Sequence, residues 1–314
     1  MEYRTFGRTG LQVSVAGIGA GGASRLGLST GSSEEEAVAV LHRALELGVN
    51  YFDTAANYGT EEVVGRALEG RRDEVVISSK LSPRRDGVLL DRAGLRSGLE
   101  AALQKLRTEV VDVYHLHRPD SGDYDYCLAE LVPELQALRD EGKLRFLAIS
   151  GTTGADPTHE VLRRAVANDC FDVVMAGFNF FNQNARQQVF STTIEKDIAV
   201  EVMGAARGPF SRPEQFAKEV EGLVELGAAI PEAERSDPLG FITASGAVAS
   251  MAEASYRFAA YEPGVGTVLI GTGNPVHLEA NVAAIARGPL PVAVRDEIVA
   301  RFGHLAVSSS ELGR

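Results

Sequence analysis

The chain has 314 residues, 45% of them apolar and 24% charged, with a formal net charge of −12. So much apolar surface can fill a large core and excludes a disordered chain, while the acidic field repels polyanions, so no nucleic-acid partner is expected. Two cysteines, Cys127 and Cys170, are too few for a disulfide framework or a four-cysteine zinc site, and no apolar run approaches the ~20 residues needed to cross a bilayer. No membrane association is expected, and the reading is a cytoplasmic protein.

Residues 1–12 show no helical period and are read as a hairpin covering the bottom of a barrel, with Val13 to Gly19 as the first barrel strand. Ser33-Glu34-Glu35-Glu36 forms a capping box, after which Ala37, Val40, Leu41, Ala44, Leu45 and Leu47 recur at helical spacing until Gly48. Strand-like and helical runs then alternate: Val49–Asp53, a helix from Thr60 to Leu68, Val75–Lys80, a helix over Ala93–Leu106, Val110–His117 and a helix over Leu128–Asp140. The alternation continues through Leu144–Ser150, a helix over Val161–Ala167, Phe171–Met175, a helix near Ala185–Glu195 and Ile198–Met203. A proline-bearing interruption from Arg207 to Thr243, read as a lid or wall, precedes the last strand, Gly266–Gly271. Eight short apolar strands, each followed by a helix, predict one α/β domain over residues 1–314, a closed (β/α)8 TIM barrel with a long insertion after strand seven. The alternative is an open doubly wound sheet, but Gly17-Ile-Gly19-Ala-Gly21-Gly22 matches a dinucleotide fingerprint only loosely and lacks the acidic residue ~20 positions on.

In such a barrel the chemistry is assembled at the C-terminal strand ends. Asp53 ends strand two with Tyr58 in its loop, Lys80 ends strand three and His117 ends strand four. A buried lysine and aspartate are costly unless they pair, and a lysine cation beside a phenol stabilises phenolate, which makes Tyr58 a candidate proton donor. His115 and His117 face one side of their strand, and an HxH pair can bind metal, but no third and fourth ligand follows at the other strand ends. No metal is expected, and His115 is read as a satisfied interior histidine.

Taken together, Asp53-Thr-Ala-Ala-Asn-Tyr58-Gly59, Ser78-Ser-Lys80, Asp112-Val-Tyr-His-Leu-His117-Arg-Pro119 and the opening Arg8-Thr-Gly-Leu-Gln-Val-Ser14 resemble the aldo-keto reductase superfamily over nearly the whole chain. The resemblance implies a catalytic tetrad of Asp53, Tyr58, Lys80 and His117 and reduction of a small carbonyl substrate with NADP(H) or NAD(H). It further implies a cofactor lying across the barrel mouth against Gly19, Ala20, Gly21, Asp53, Ser150, Gly151, Met175, Met203, Gly204, Ala206, Arg207, Gly271, Thr272, Gly273, His277 and Asn281. The pattern departs from the family at Gly151 and Met175, where side-chain amides usually hold the nicotinamide carboxamide. It departs again at Met203 to Ala206, where an aromatic often stacks, and at His277, the place of a frequent arginine. Those losses leave open a second reading, a binding or regulatory member of the family, and a metal-dependent barrel hydrolase is a distant third. Oligomeric state and the particular carbonyl are not legible, and Tyr124, Tyr126, Phe178, Phe180, Phe181 and Phe210 stand either as pocket walls or as core aromatics.

Overall fold

A computed structural model describes residues 1–152, 156–206, 220–244 and 246–305. Two short strands, β1 (Tyr3–Thr5) and β2 (Gln12–Ser14), pair antiparallel as the expected hairpin. The run read as a single first strand, Val13 to Gly19, is split by the structure: its first two residues belong to this hairpin, and only β3 (Ala16–Gly19) enters the barrel. The break has a local cause. Ser14 accepts the Asn50 N–H with its Oγ and donates its own N–H to Asn50 Oδ1, which turns the chain between the two strands.

The barrel continues with β4 (Tyr51–Asp53) and β5 (Val76–Leu81), then a small hairpin of β6 (Arg84–Arg85) and β7 (Val88–Leu89) lies outside it. Next in the barrel come β8 (Val111–His117), β9 (Leu144–Ser150), β10 (Val173–Gly177), β11 (Ala199–Met203) and β12 (Thr267–Ile270). The eight parallel strands close in the order β3-β4-β5-β8-β9-β10-β11-β12 and back to β3. Helices follow them in turn, beginning with Glu34–Glu46, whose Ser33–Glu36 capping box is formed reciprocally as its sequence predicts.

Strand residues two apart share a face, and this period of two stacks the barrel interior in layers. At the bottom, Tyr51, Val76, Val113, Ala148, Val173 and Ala199 form an apolar layer closed from below by Phe6, Leu11 and Val13 of the hairpin. Two residues further along the same six strands stand Asp53, Ser78, His115, Ser150, Met175 and Glu201, all buried. Five of those six side chains are polar. One step higher, Lys80 and His117 reach the mouth. The hairpin therefore acts as an apolar stopper beneath a polar interior.

Phe6 is the centre of that stopper: fully buried, it meets the Tyr51 ring edge-on at 5.5 Å. Phe6→Ala is expected to destabilise the fold by about 3 kcal/mol or more through cavity formation. Denaturant unfolding followed by circular dichroism measures it, with a lowered midpoint and an unchanged slope as the expected result.

Candidate active site

The four residues at the ends of β4, β5 and β8 and in the loop after β4 converge at the barrel mouth. Lys80 has no exposed surface, and its ammonium bonds the Asp53 carboxylate and the Thr54 carbonyl, the latter at 2.8 Å. Ser78 donates its hydroxyl to the same Asp53 oxygen at 2.9 Å. The Lys80 ammonium stands 5.2 Å from the centre of the Tyr58 ring. The Tyr58 hydroxyl in turn lies 3.5 Å from His117 Nε2, with the two rings edge-on. At that length the hydroxyl is only loosely held, so an incoming oxygen can take a place beside both groups.

The environment sets the charges. Burial pushes the Asp53 carboxyl up to about 6 against the attraction of Lys80, and Glu201 adds to the push. Burial also disfavours the Lys80 cation, but Asp53 together with Tyr58 and Glu201 outweighs it and holds the ammonium above the ordinary lysine value. His117 is pushed down to about 2 by burial and then by the neighbouring Lys80 and Arg118 charges. Its imidazole is neutral at working pH and offers either a donor or an acceptor to the mouth.

Around this tetrad the remaining candidates take distinct places. Gly19 and Gly271 end adjacent strands and leave bare backbone at the rim; a Cβ at Gly271 would meet nothing nearer than the Gly19 carbonyl at 3.8 Å. Ala20 is buried, and its N–H donates to the Asp53 carbonyl at 2.7 Å. Ser150 and Met175 are buried neighbours in register, and the Ser150 Oγ accepts the N–H of Arg118 at 3.0 Å. Gly151 is enclosed too, since a Cβ there would come within 3.0 Å of the Leu162 side chain. Met203, Gly204 and Ala206 are half-buried after β11, as are Thr272 and Gly273 after β12. His277 is exposed in the first turn of the helix Pro275–Ala286, with Asn281 one turn further along it. Arg207 and Phe210 lie outside the described residues.

A model of the Aldo/keto reductase family matches residues 17–300. The chain belongs to the aldo/keto reductase family. Over 158 residues it is 35% identical to an L-galactose dehydrogenase of Arabidopsis thaliana, a stretch covering 48% of this chain and 49% of that one, so this match spans about half of the relative's length. It is 25% identical over 307 residues to the uncharacterized oxidoreductase YqkF of Bacillus subtilis (strain 168), covering 90% and 91% of the two chains. Among solved structures it superposes on the holo form of aldo-keto reductase AKR11C1 from Bacillus halodurans with a TM-score of 0.75 at 25% identity, covering 96% of each.

In this aldo/keto reductase family member, Gly21 has a role its sequence does not show. A Cβ built on Gly21 would stand 2.3–2.6 Å from three atoms of the Tyr58 ring. The bare glycine is therefore the seat on which Tyr58 rests. Asn179, by contrast, is a residue that sequence reading missed: its Oδ1 accepts the N–H groups of Phe181 and Asn182, both at 3.0 Å, and its Nδ2 donates to the Gly204 carbonyl at 3.2 Å. It staples the loop after β10 to the loop after β11. Of the aromatics weighed as pocket walls or core, four of those described pack inward. Phe178, Phe180 and Phe181 are buried and interlock with Phe190, Phe258 and Phe302 at centroid distances of 5.1–5.5 Å, and Tyr124 is fully buried.

The two histidines of the HxH pair also part company. His117 faces Tyr58, whereas His115 Nε2 lies 2.6 Å from Glu201 Oε1, with both residues fully buried. Asp53, His115 and Glu201 bring ligand-type atoms within 4.8 Å of one another. Yet the His115–Glu201 gap is shorter than the roughly 3.3 Å separating two ligands on a tetrahedral zinc, and the Lys80 ammonium already bonds Asp53. Of the three, Asp53 is hydrogen-bonded, whereas among the described residues neither ring nitrogen of His115 nor either carboxylate oxygen of Glu201 finds a hydrogen-bond partner, so His115 is buried but is not the satisfied interior histidine its sequence suggested.

Two outcomes are expected. Gly21→Ala displaces the Tyr58 ring, so turnover falls at least roughly tenfold while the melting temperature changes little, measured by steady-state kinetics beside thermal unfolding. The second concerns acid stability. The unfolded chain takes up a proton at His117 near the free value of ~6.5, but the folded chain takes it up only near 2, so stability falls as pH drops through that window. His117→Gln removes this contribution, and its denaturation midpoint should decline less steeply than the wild type's as the buffer is acidified below pH 6.5.

Proposed function

We propose that the protein reduces an aldehyde or ketone to an alcohol at this mouth, with Tyr58 as the proton donor and NADPH or NADH as the reductant. The observation that carries the reading is a fully buried ammonium, Lys80, held by Asp53 beneath a tyrosine whose hydroxyl opens toward a neutral histidine. In this reading the protein is an NAD(P)H-dependent oxidoreductase acting on a small-molecule carbonyl compound.

The residues present fit a nicotinamide cofactor. The bare rim at Gly19 and Gly271 would let an extended ligand lie close to backbone, and this reading assigns Ser150 to the nicotinamide end and the exposed His277, with Asn281 one turn on, to a 2′-phosphate. When bound, the nicotinamide supplies a hydride to the carbonyl carbon. The protein's part is positional and protic. His117 and Tyr58 hold the carbonyl oxygen between them, and Tyr58 gives its hydroxyl proton to that oxygen as negative charge develops on it. Lys80 stabilises the tyrosinate that remains, and Asp53 with the Thr54 carbonyl keeps the ammonium in place.

Substrate approach is shaped by two loops fastened to each other. Arg84, on the β6–β7 hairpin, grips Asp123 in the loop after β8 with two hydrogen bonds of 2.5 and 2.7 Å. A second reading, ligand binding without turnover, draws on Gly151 and Met175, which offer no side-chain amide to a carboxamide. Turnover separates the two readings. Tyr58→Phe keeps the ring on its Gly21 seat and deletes the proton, so NADPH-dependent reduction across an aldehyde and ketone panel is expected to fall by roughly 10²-fold or more with cofactor affinity nearly unchanged. Reduction by that variant at the wild-type rate would remove Tyr58 from the chemistry. A wild-type protein that binds NADPH but turns over no carbonyl would favour the second reading.

A further inference from the structure

Beside the tetrad, one residue holds a backbone conformation that its type rarely adopts. Arg118 directly follows His117 at the end of β8 and has a φ of +56°, in the left-handed region that favours glycine. Its place is fixed, since the Arg118 N–H donates to both the carbonyl and the Oγ of Ser150, at 3.2 and 3.0 Å. Ser150 stands opposite His117 in the register of β8 and β9, so Arg118 is pinned at the top of the barrel wall, beside the proposed nicotinamide end. Glycine would make this turn with less strain, and strain of this kind collects at ligand clamps. The Arg118 side chain is exposed and makes no hydrogen bond or ion pair among the described residues. The turn therefore presents a cation that the fold itself does not use.

That cation bears on the reacting centre. After burial and the Lys80 charge, Arg118 is the next influence holding the His117 imidazole neutral. The acids on the surrounding loops are engaged elsewhere: Asp123 pairs with Arg84, Asp125 with Arg164, and Asp156 accepts the first N–H groups of the helix Glu160–Asn168. Asp120, two residues on, is exposed and forms no ion pair among the described residues. The order of strands around the ring separates Arg118 from the phosphate end of the proposed cofactor. β8 lies across the barrel from β12, with β9, β10 and β11 between them on one side and β3, β4 and β5 on the other. The segments assigned to the cofactor's phosphates, Gly271–Asn281 and the Gly19–Gly21 rim, follow β12 and β3.

We propose that Arg118 determines specificity by pairing with a carboxylate carried by the substrate, so that this mouth takes oxo acids in preference to neutral aldehydes and ketones. The proposal rests on the reading of the mouth as a carbonyl-reducing site. A guanidinium meets a carboxylate with a fork of two parallel hydrogen bonds, which fixes direction as well as distance. With the carbonyl oxygen between Tyr58 and His117 and the carboxylate on Arg118, the substrate is held at two points and its carbonyl carbon is oriented for the hydride.

The test compares ortho-, meta- and para-formylbenzoate with their methyl esters, which keep the aldehyde and remove the charge. At low salt the wild type is expected to give at least one acid a kcat/KM roughly tenfold or more above that of its ester, chiefly through KM. Rising salt should narrow the gap. In Arg118→Gln the ratio of acid to ester falls toward unity, and Arg118→Lys, which returns the charge without the fork, recovers part of it. Arg118→Gly loses the ratio as well, but it relieves the turn and melts no lower than the wild type. A merely structural Arg118 would instead lower the melting temperature in these variants and slow acid and ester alike. A wild type that favours none of the three acids over its ester, or a preference that survives Arg118→Gln, overturns the proposal. Calorimetric titration of Tyr58→Phe loaded with oxidised cofactor reads affinity for the same compounds without turnover. The acid preference there, and its loss in the Tyr58→Phe, Arg118→Gln double variant, decide the proposal even where reduction is slow. Failure of the tetrad reading is separately visible, because Tyr58→Phe would then reduce the esters at the wild-type rate.

Discussion

Everything at the mouth of this barrel depends on keeping one ammonium group fully out of water. An isolated lysine cation in such a place would lose its proton, because burial favours the neutral amine. Lys80 keeps it because Asp53 and the Thr54 carbonyl face it from the neighbouring strand and the loop beyond. Those partners are themselves fixed: Ser78 bonds the same Asp53 oxygen, the Ala20 N–H bonds the Asp53 carbonyl, and the Ala56 N–H bonds the Lys80 carbonyl at 3.0 Å. The parallel register of β4 and β5 thus determines where the cation stands and how closely it approaches Tyr58.

The mouth and the core are consequently less separate than the four tetrad residues alone would imply. The same two-residue step carries the interior from apolar, beside the hairpin, to polar, at the level of Asp53 and Glu201, and on β5 and β8 to the mouth, at Lys80 and His117. The middle layer is expensive to bury, and its Asp53 is tolerated because Ser78 and Lys80 bond it. Gly21 and Asn179 act on the outer face of the same arrangement, one by leaving room for a ring and the other by fastening two loops.

Much of this was readable in the chain. Alternating periods disclosed the eight strands, and the order Asp53, Tyr58, Lys80, His117 along successive strands pointed to the four residues that converge at the mouth. The strand break at Ser14 was hidden because Val13 to Gly19 remains apolar throughout; only the side chain of Asn50, distant in sequence, reveals the turn. Glu201 left a usable signal, an acidic residue inside the otherwise apolar run Ile198 to Met203, and the same two-step count that aligns it with Asp53 would have paired it with His115. Gly21 left none, since a glycine required by a ring in another loop looks like any other glycine near a strand end. The aromatics after β10 stayed open because sequence spacing cannot distinguish a pocket wall from a core ring, and the packing with Phe258 and Phe302 is set by helices far along the chain.

The stopper at the base has a consequence for how the molecule is made. Gly7 sits so close to β11 that a Cβ there would lie 2.6 Å from backbone atoms of Asp197 and Ala199, and the Arg8 N–H donates to the Asp197 carbonyl at 2.6 Å. Arg8 also reaches Asp169, Asp172 and the Phe171 carbonyl. The hairpin's docking surface therefore belongs to residues synthesised much later than the hairpin itself. Until they emerge, Phe6, Leu11 and Val13 have nothing to cover them, and contacts of such long sequence separation form slowly. The nascent chain thus carries an exposed apolar strand pair through most of its synthesis, and the segment that seals the finished barrel is the one most in need of protection beforehand.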